Sequence, residues 1–121
     1  MYIMKIAVIG SRGFEDYIRL EEVLHGLSNI ECIISGGAKG ADRLAEVYAD
    51  ANGIPKKIFP AQWSTHGRAA GMIRNKDIVD TSDLVIAFWD GASRGTKHTI
   101  EYSKRRGVPV RVIRYDINTL S

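Results

Sequence analysis

The sequence predicts an α/β domain in which a five-stranded parallel sheet carries helices on both faces. Three observations predict it. Short, almost wholly apolar runs alternate with segments of helical periodicity, in the order βαβαβαβαβ. The connections are short, so successive strands return in parallel through right-handed crossovers. Glycine-rich turns follow three of the strands, at Gly10–Gly13, Gly36–Gly40 and Gly91–Thr96. With 121 residues, 45% of them hydrophobic, the chain has the size and apolar content of one domain, expected to span residues 1–121.

The first strand, Lys5–Gly10, is continuously apolar after its lysine, as a strand covered on both faces must be. From Asp16 to Leu27, the residues Leu20, Val23, Leu24 and Leu27 recur at helical spacing and mark one buried stripe. Cys32–Ser35 is a second short strand, and Ala41–Ala51 a second helix with Leu44, Val47, Tyr48 and Ala51 as its apolar stripe. Asn52 and Gly53 suit a left-handed cap, and Pro55 prevents the helix from resuming. Lys56–Phe59, between Pro55 and Pro60, reads as a strand near the sheet edge. Ala61–Gly67 shows no period. Arg68–Asp80 reads as a helix whose stripe is interrupted by Arg74, Asn75 and Lys76, so that face is either solvent-exposed or, the favoured reading, looks into a polar pocket. Leu84–Trp89 is a fourth buried strand. The last helix runs to Arg106 and stops at Gly107, and Val110–Ile113 is the fifth strand. The tail through Ser121 carries no signal.

Several function classes are disfavoured. The N-terminal run MYIMKIAVIG lacks a basic leader and a cleavage site, and no apolar run approaches the roughly 20 residues of a membrane span. A soluble, cytoplasmic protein is expected. The lone Cys32 cannot form an internal disulfide and reads as a small core residue. No histidine pair or cysteine pair stands at ligand spacing, so neither a metal nor a cofactor is expected. The net charge of +3 is mild for a dedicated nucleic-acid binder. Yet Arg12, Lys39, Arg68, Arg74, Arg94 and Lys97 all lie in or beside turn-like segments, which points to an anionic ligand.

A glycine-rich turn between a strand and a helix exposes unpaired N–H groups at the positive end of the helix dipole, where phosphate binds. Three such turns on one sheet edge make Gly10, Ser11, Arg12, Gly36, Gly37, Lys39, Gly40, Gly91, Ser93, Gly95 and Thr96 candidate ligand residues. Neither common phosphate fingerprint is present. Arg12 replaces the second glycine of G-x-G-x-x-G, and no Lys-Ser or Lys-Thr pair follows Lys39. Arg12, set among glycines, either offers a bidentate fork to phosphate or is a solvated turn arginine. Asn75 lies beside Arg74, and Asp42, in the first turn after Gly40, suits a ribose hydroxyl or the helix dipole. Trp63 and Trp89 are the residues that could stack on a base, with Trp63, in the irregular segment, the better placed. His98 and Glu101 are candidate acid–base residues that the sequence does not choose between, and His25 and His66 read as surface residues.

The segments GSRGF, SGGAKGAD, AGMIRNK and FWDGASRGTKHTIE, taken in this order, resemble the YspA-type members of the SLOG superfamily across residues 5 to 113. That superfamily also holds the lonely-guy phosphoribohydrolases and DNA-processing protein A. The resemblance implies a Rossmann-like three-layer sandwich with strand order 3-2-1-4-5 and a nucleotide-type ligand. In the lonely-guy motif P-G-G-x-G-T-x-x-E the glutamate takes part in cleaving an N-glycosidic bond. Gly95 and Thr96 match its Gly-Thr, but Thr99 holds the glutamate's place and Glu101 follows two positions later, rotated about 200° around a helix. The motif M-x-x-R-K is similar to Met72–Lys76, which carries a phosphate contact over to Arg74 with a one-residue shift.

The resemblance therefore transfers binding better than catalysis. The first expectation is a sensor or sequestering protein for a nucleotide or ADP-ribose-like molecule. The alternative is a nucleotide N-glycosidase in which Glu101, His98 or Asp42 replaces the missing glutamate. Single-stranded nucleic-acid binding ranks third. Related proteins pair through their helices, so a homo-oligomer is expected.

Overall fold

The computed structural model describes residues 3–115, so the ends of the expected domain range, residues 1–2 and 116–121, lie outside the described residues. Five strands form one parallel sheet in the order β3-β2-β1-β4-β5, with β1 Met4–Gly10, β2 Ile30–Ser35, β3 Lys56–Ile58, β4 Leu84–Trp89 and β5 Val110–Arg114. The helices are α1 Tyr17–His25, α2 Ala41–Ala51, α3 Trp63–His66, α4 Ala70–Thr81 and α5 Arg94–Arg106, with a 3₁₀ turn at Gly67–Ala69 before α4. This is a Rossmann-like three-layer sandwich. The chain begins at the sheet centre, builds outward through β2 to β3, then returns to lay β4 on the other side of β1.

Strand alternation divides the core in two. Ile6 and Val8 of β1 point to the face covered by Leu20 and Leu24 of α1 and by Ala41, Ala45, Tyr48 and Ala49 of α2. Ala7 and Ile9 point to the opposite face, covered by Ile78 and Val79 of α4 and by Ile100 of α5. Each fully buried isoleucine or leucine contributes about 1.5–3 kcal/mol. Both central strands are buried on both sides, which is why they read as unbroken apolar runs.

Three details depart from the periodicities of the sequence. Val47, expected on the buried stripe of α2, is 48% exposed, and Ala51 is exposed as well. The buried face is instead Ala41, Asp42, Ala45, Tyr48 and Ala49, because alanines let the helix lie close against the sheet and turn the larger Val47 outward. Cys32, expected in the core, is only half-buried, one residue short of the strand's enclosed part. The aperiodic stretch before α4 contains the single turn α3, which buries none of its residues. No helix among the described residues is long and apolar enough to cross a membrane.

Candidate functional site

In a doubly wound sheet the loops after two neighbouring strands diverge where the strand order reverses, and they leave a crevice at the carboxyl ends. Here that point lies between β1 and β4. Ser11, the first residue beyond β1, ties the two loops together, since its N–H donates to the Phe88 carbonyl at 3.0 Å and its Oγ accepts the Asp90 N–H at 3.3 Å. A cleft of about 520 Å³ opens over this junction. That volume lies within the range of small-molecule sites.

The cleft gathers residues from five places in the chain. Gly10, Ser11 and Arg12 come from the first loop, Asp42 from α2, Trp63 from α3, Arg74 and Asn75 from α4, and Ser93, Gly95 and Thr96 from the start of α5. Ile9, Gly13, Ala38, Arg68, Gly71, Met72, Asp90 and Thr99 complete the lining. Of this second set, Arg68 stood among the loop cations, Thr99 at the glutamate's place, and Gly13, Ala38, Gly71, Met72 and Asp90 inside the quoted motifs, but the sequence reading did not single them out as ligand residues.

Four glycines of the loops have a structural reason to be glycine. A Cβ on Gly10 would stand 2.6 Å from the Phe88 carbonyl oxygen, and one on Gly40, where φ is +87°, would run into the backbone of Ser11 and Arg12. Gly36 sits between Arg74 and Asp42, where a Cβ would lie 2.8 Å from an Asp42 carboxylate oxygen. Gly91 leaves room for the Arg114 guanidinium, which lies 5.2 Å over the Trp89 ring. Gly95 differs. Nothing lies within 4 Å of its would-be Cβ and its φ is ordinary, so neither packing nor conformation demands a glycine there.

The floor of the cleft is a buried polar cluster. Asp42, 6% exposed, accepts the Gly36 N–H at 3.0 Å and the Ala38 N–H at 3.4 Å through Oδ2. Arg74 reaches across from α4 and donates from Nη1 to the Gly36 carbonyl at 2.6 Å, while its buried Nε has no partner. Burial pushes the Asp42 carboxyl up to about 6, against the opposing pull of the Arg74 guanidinium and of the Ala38 and Gly36 N–H groups. At the opposite side, Asp90 Oδ1 accepts the N–H groups of Ala92 and Ser93, each at 2.8 Å, and these bonds hold its carboxyl below the ordinary range. The N-cap positions of α2 and α5, Gly40 and Ser93, make no side-chain capping bond. First-turn N–H groups of both helices are thus left without a capping acceptor. Against the two carboxylates the cleft sets three cations, Arg12, Arg68 and Arg74.

Other candidates lie outside the lining. Lys39 is exposed, and Gly36, Gly37 and Gly40 are buried or half-buried and not part of the lining. Glu101 is exposed on α5, whereas Thr99, at the glutamate's place in the lonely-guy pattern, is 2% exposed, faces the cleft and donates to the Gly95 carbonyl at 2.9 Å. His98 is half-buried and its Nδ1 has no partner. Trp89 serves the fold, donating from its indole N–H to the Ser93 carbonyl at 3.0 Å. His25 and His66 are exposed, although His25 Nδ1 also contacts the Tyr48 hydroxyl at 2.6 Å.

Residues 4–66 match the model of a family described as YspA, cpYpsA-related SLOG. The Gene 61 protein of Mycobacterium phage D29 is 30% identical over 116 residues, spanning 88% of this chain and 93% of that protein. DNA processing protein A from Streptococcus pneumoniae superposes with a TM-score of 0.80 at 24% identity, over 97% of this chain. The chain spans about half of that protein, 52% of its length. A structure of DNA processing protein A from Helicobacter pylori, described by its single-stranded DNA binding mode, gives a TM-score of 0.61 at 22% identity, over 95% of this chain and 67% of that one. These two likenesses establish the fold.

Proposed function

Because this chain belongs to the YspA, cpYpsA-related SLOG family, we propose that it binds a phosphate-bearing, nucleotide-derived molecule in the cleft between β1 and β4. Its role is that of a cytoplasmic sensor or sequestering protein, as one nucleotide-binding domain that acts as a homo-oligomer. The observation that carries the reading is convergence. Three arginines and the uncapped starts of α2 and α5 meet at one 520 Å³ opening. Gly13 and Gly95, whose would-be side chains meet nothing within 4 Å, both stand at that opening. A phosphate ester supplies the acceptors that these donors lack.

Binding without cleavage fits the same geometry. The glutamate's place in the lonely-guy pattern holds a threonine whose hydroxyl is already bonded, and Glu101 lies outside the lining. One observation favours a second reading. The Helicobacter pylori protein that shares the fold is described by its binding of single-stranded DNA, and a cleft lined by arginines suits a nucleic-acid backbone as well as a free phosphate.

Native mass spectrometry of the purified protein, followed by calorimetric titration with AMP, ADP-ribose and a cyclic nucleotide, tests the proposal while free base is monitored. The expected result is an intact ligand bound by wild type and by Glu101→Ala, and lost in Arg74→Ala. Base release abolished by Glu101→Ala overturns it in favour of an enzyme. Binding of an oligonucleotide alone, with a steep salt dependence, overturns it in favour of nucleic acid.

A further inference from the structure

Trp63 has little reason to exist in the folding of this chain. It is 56% exposed, on a single helical turn that buries none of its residues. Exposed apolar surface that is contiguous and rimmed by polar residues marks a place where a ligand or partner binds. Met72, 48% exposed, also lines the cleft, so the two supply exposed apolar surface to the rim of a largely polar opening. Gly71, which precedes Met72 and also lines the cleft, approaches Trp63. A Cβ there would stand 3.6 Å from Cη2 of Trp63, so the backbone of α4 runs close beside the ring. Arg68 and Arg74 flank this rim, and Asn75, one turn beyond Gly71 and Met72, supplies the lone side-chain amide of the lining.

We infer that the rim formed by Trp63, Gly71 and Met72 is the subsite for a planar heteroaromatic base, which stacks on the Trp63 indole while the phosphate lies among the arginines. A base is the chemical class that fits. It is flat, it loses apolar surface to water on stacking, and it is covalently attached to the anion that the rest of the cleft attracts. Met72 adds a soft, polarisable contact at the edge of the stack. Asn75 is placed to meet the edge of the base with both a donor and an acceptor. Recognition of this kind is shared by a free nucleotide and by a base of a single strand, and the two sources are separated by the test.

The inference rests on the phosphate-ligand reading proposed above, and the experiment separates its failure from the failure of that reading. Ribose 5-phosphate, AMP and CMP are titrated into wild type, Trp63→Ala and Trp63→Phe. In wild type the base should strengthen binding on the order of tenfold over ribose 5-phosphate. That increment should vanish in Trp63→Ala, survive largely in Trp63→Phe, and leave the affinity for ribose 5-phosphate equal in all three proteins. Equal losses for all three ligands, or no increment in wild type, would overturn the inference, the first by showing a merely structural role. If none of the three binds wild type, the phosphate-ligand reading fails. The stacking subsite is then judged on a thymidylate decamer, whose binding must weaken about tenfold or more in Trp63→Ala or the inference falls too. Because Trp63 is 56% exposed and lies outside both core clusters, the variants should stay close to the wild-type thermal midpoint.

Discussion

Replacing Asp42 with asparagine should stabilise this protein at neutral pH and leave it nearly unchanged in acid. The carboxyl is buried on α2, and burial raises it from an ordinary 3.8 to about 6 even with Arg74 and two N–H groups helping the charged form. That difference corresponds to about 3 kcal/mol of ionisation cost in the fold. Well below pH 3.8 the group is neutral in folded and unfolded chains alike and the cost is absent. Between 3.8 and about 6 the unfolded chain has released its proton while the folded chain keeps it, so stability falls as pH rises. Above about 6 the full cost is present. Asparagine keeps an oxygen for the Gly36 and Ala38 N–H groups and never ionises. The stability of the variant relative to wild type should therefore climb by about 2–3 kcal/mol between pH 4 and pH 8, a shift of roughly 10 °C in the midpoint for a chain of this size. Urea unfolding of both proteins across that range measures it, and the comparison cancels every other titrating group. A difference that does not change with pH would refute the reasoning.

The same carboxyl predicts proton uptake on binding. An anion placed near Asp42 raises its carboxyl further, so calorimetric heats for a phosphate ligand at pH 6.5 should differ between buffers of high and low ionisation enthalpy, and the difference should disappear in Asp42→Asn. Two glycines give opposite expectations. Gly40→Ala should destabilise by about 1–3 kcal/mol, because φ of +87° and contact with the Ser11 and Arg12 backbone both oppose a side chain. Gly95→Ala should leave thermal stability unchanged or raise it by about 0.5–1 kcal/mol, while ligand affinity in titration falls; a loss of stability without loss of affinity would reverse its assignment to the cleft.

Much of the fold was legible because its signals are local. An unbroken apolar run as short as Leu84–Trp89, followed at once by Asp90 and Gly91, suits a strand buried on both faces and ending in a turn. The strand order 3-2-1-4-5 came from resemblance of motifs, since periodicity does not say which strands are neighbours. The site was partly legible for the same reason. Arg74 and Asn75 stood out by interrupting a helix face, and that face does line the cleft. Other parts were not legible. The stripe of α2 was misplaced by a turn's fraction because alanine scores as neutral in a pattern yet packs closest to a sheet, which put Asp42 inside and Val47 outside.

What the sequence determines by itself is the sequence of elements and the chemistry each loop carries, because both follow from neighbours a few residues apart. Tertiary structure alone decides which of those groups meet. It separates Gly95, which faces open space, from Gly10, Gly36 and Gly40, which the chain needs in order to pack. It brings Trp63 beside Gly71 and Met72, and it leaves Glu101 outside the cleft that Thr99 enters. The physical reason is that a contact between residues as far apart as Gly36 and Arg74 is set by sheet order and helix packing, and no local pattern encodes the distance across a fold.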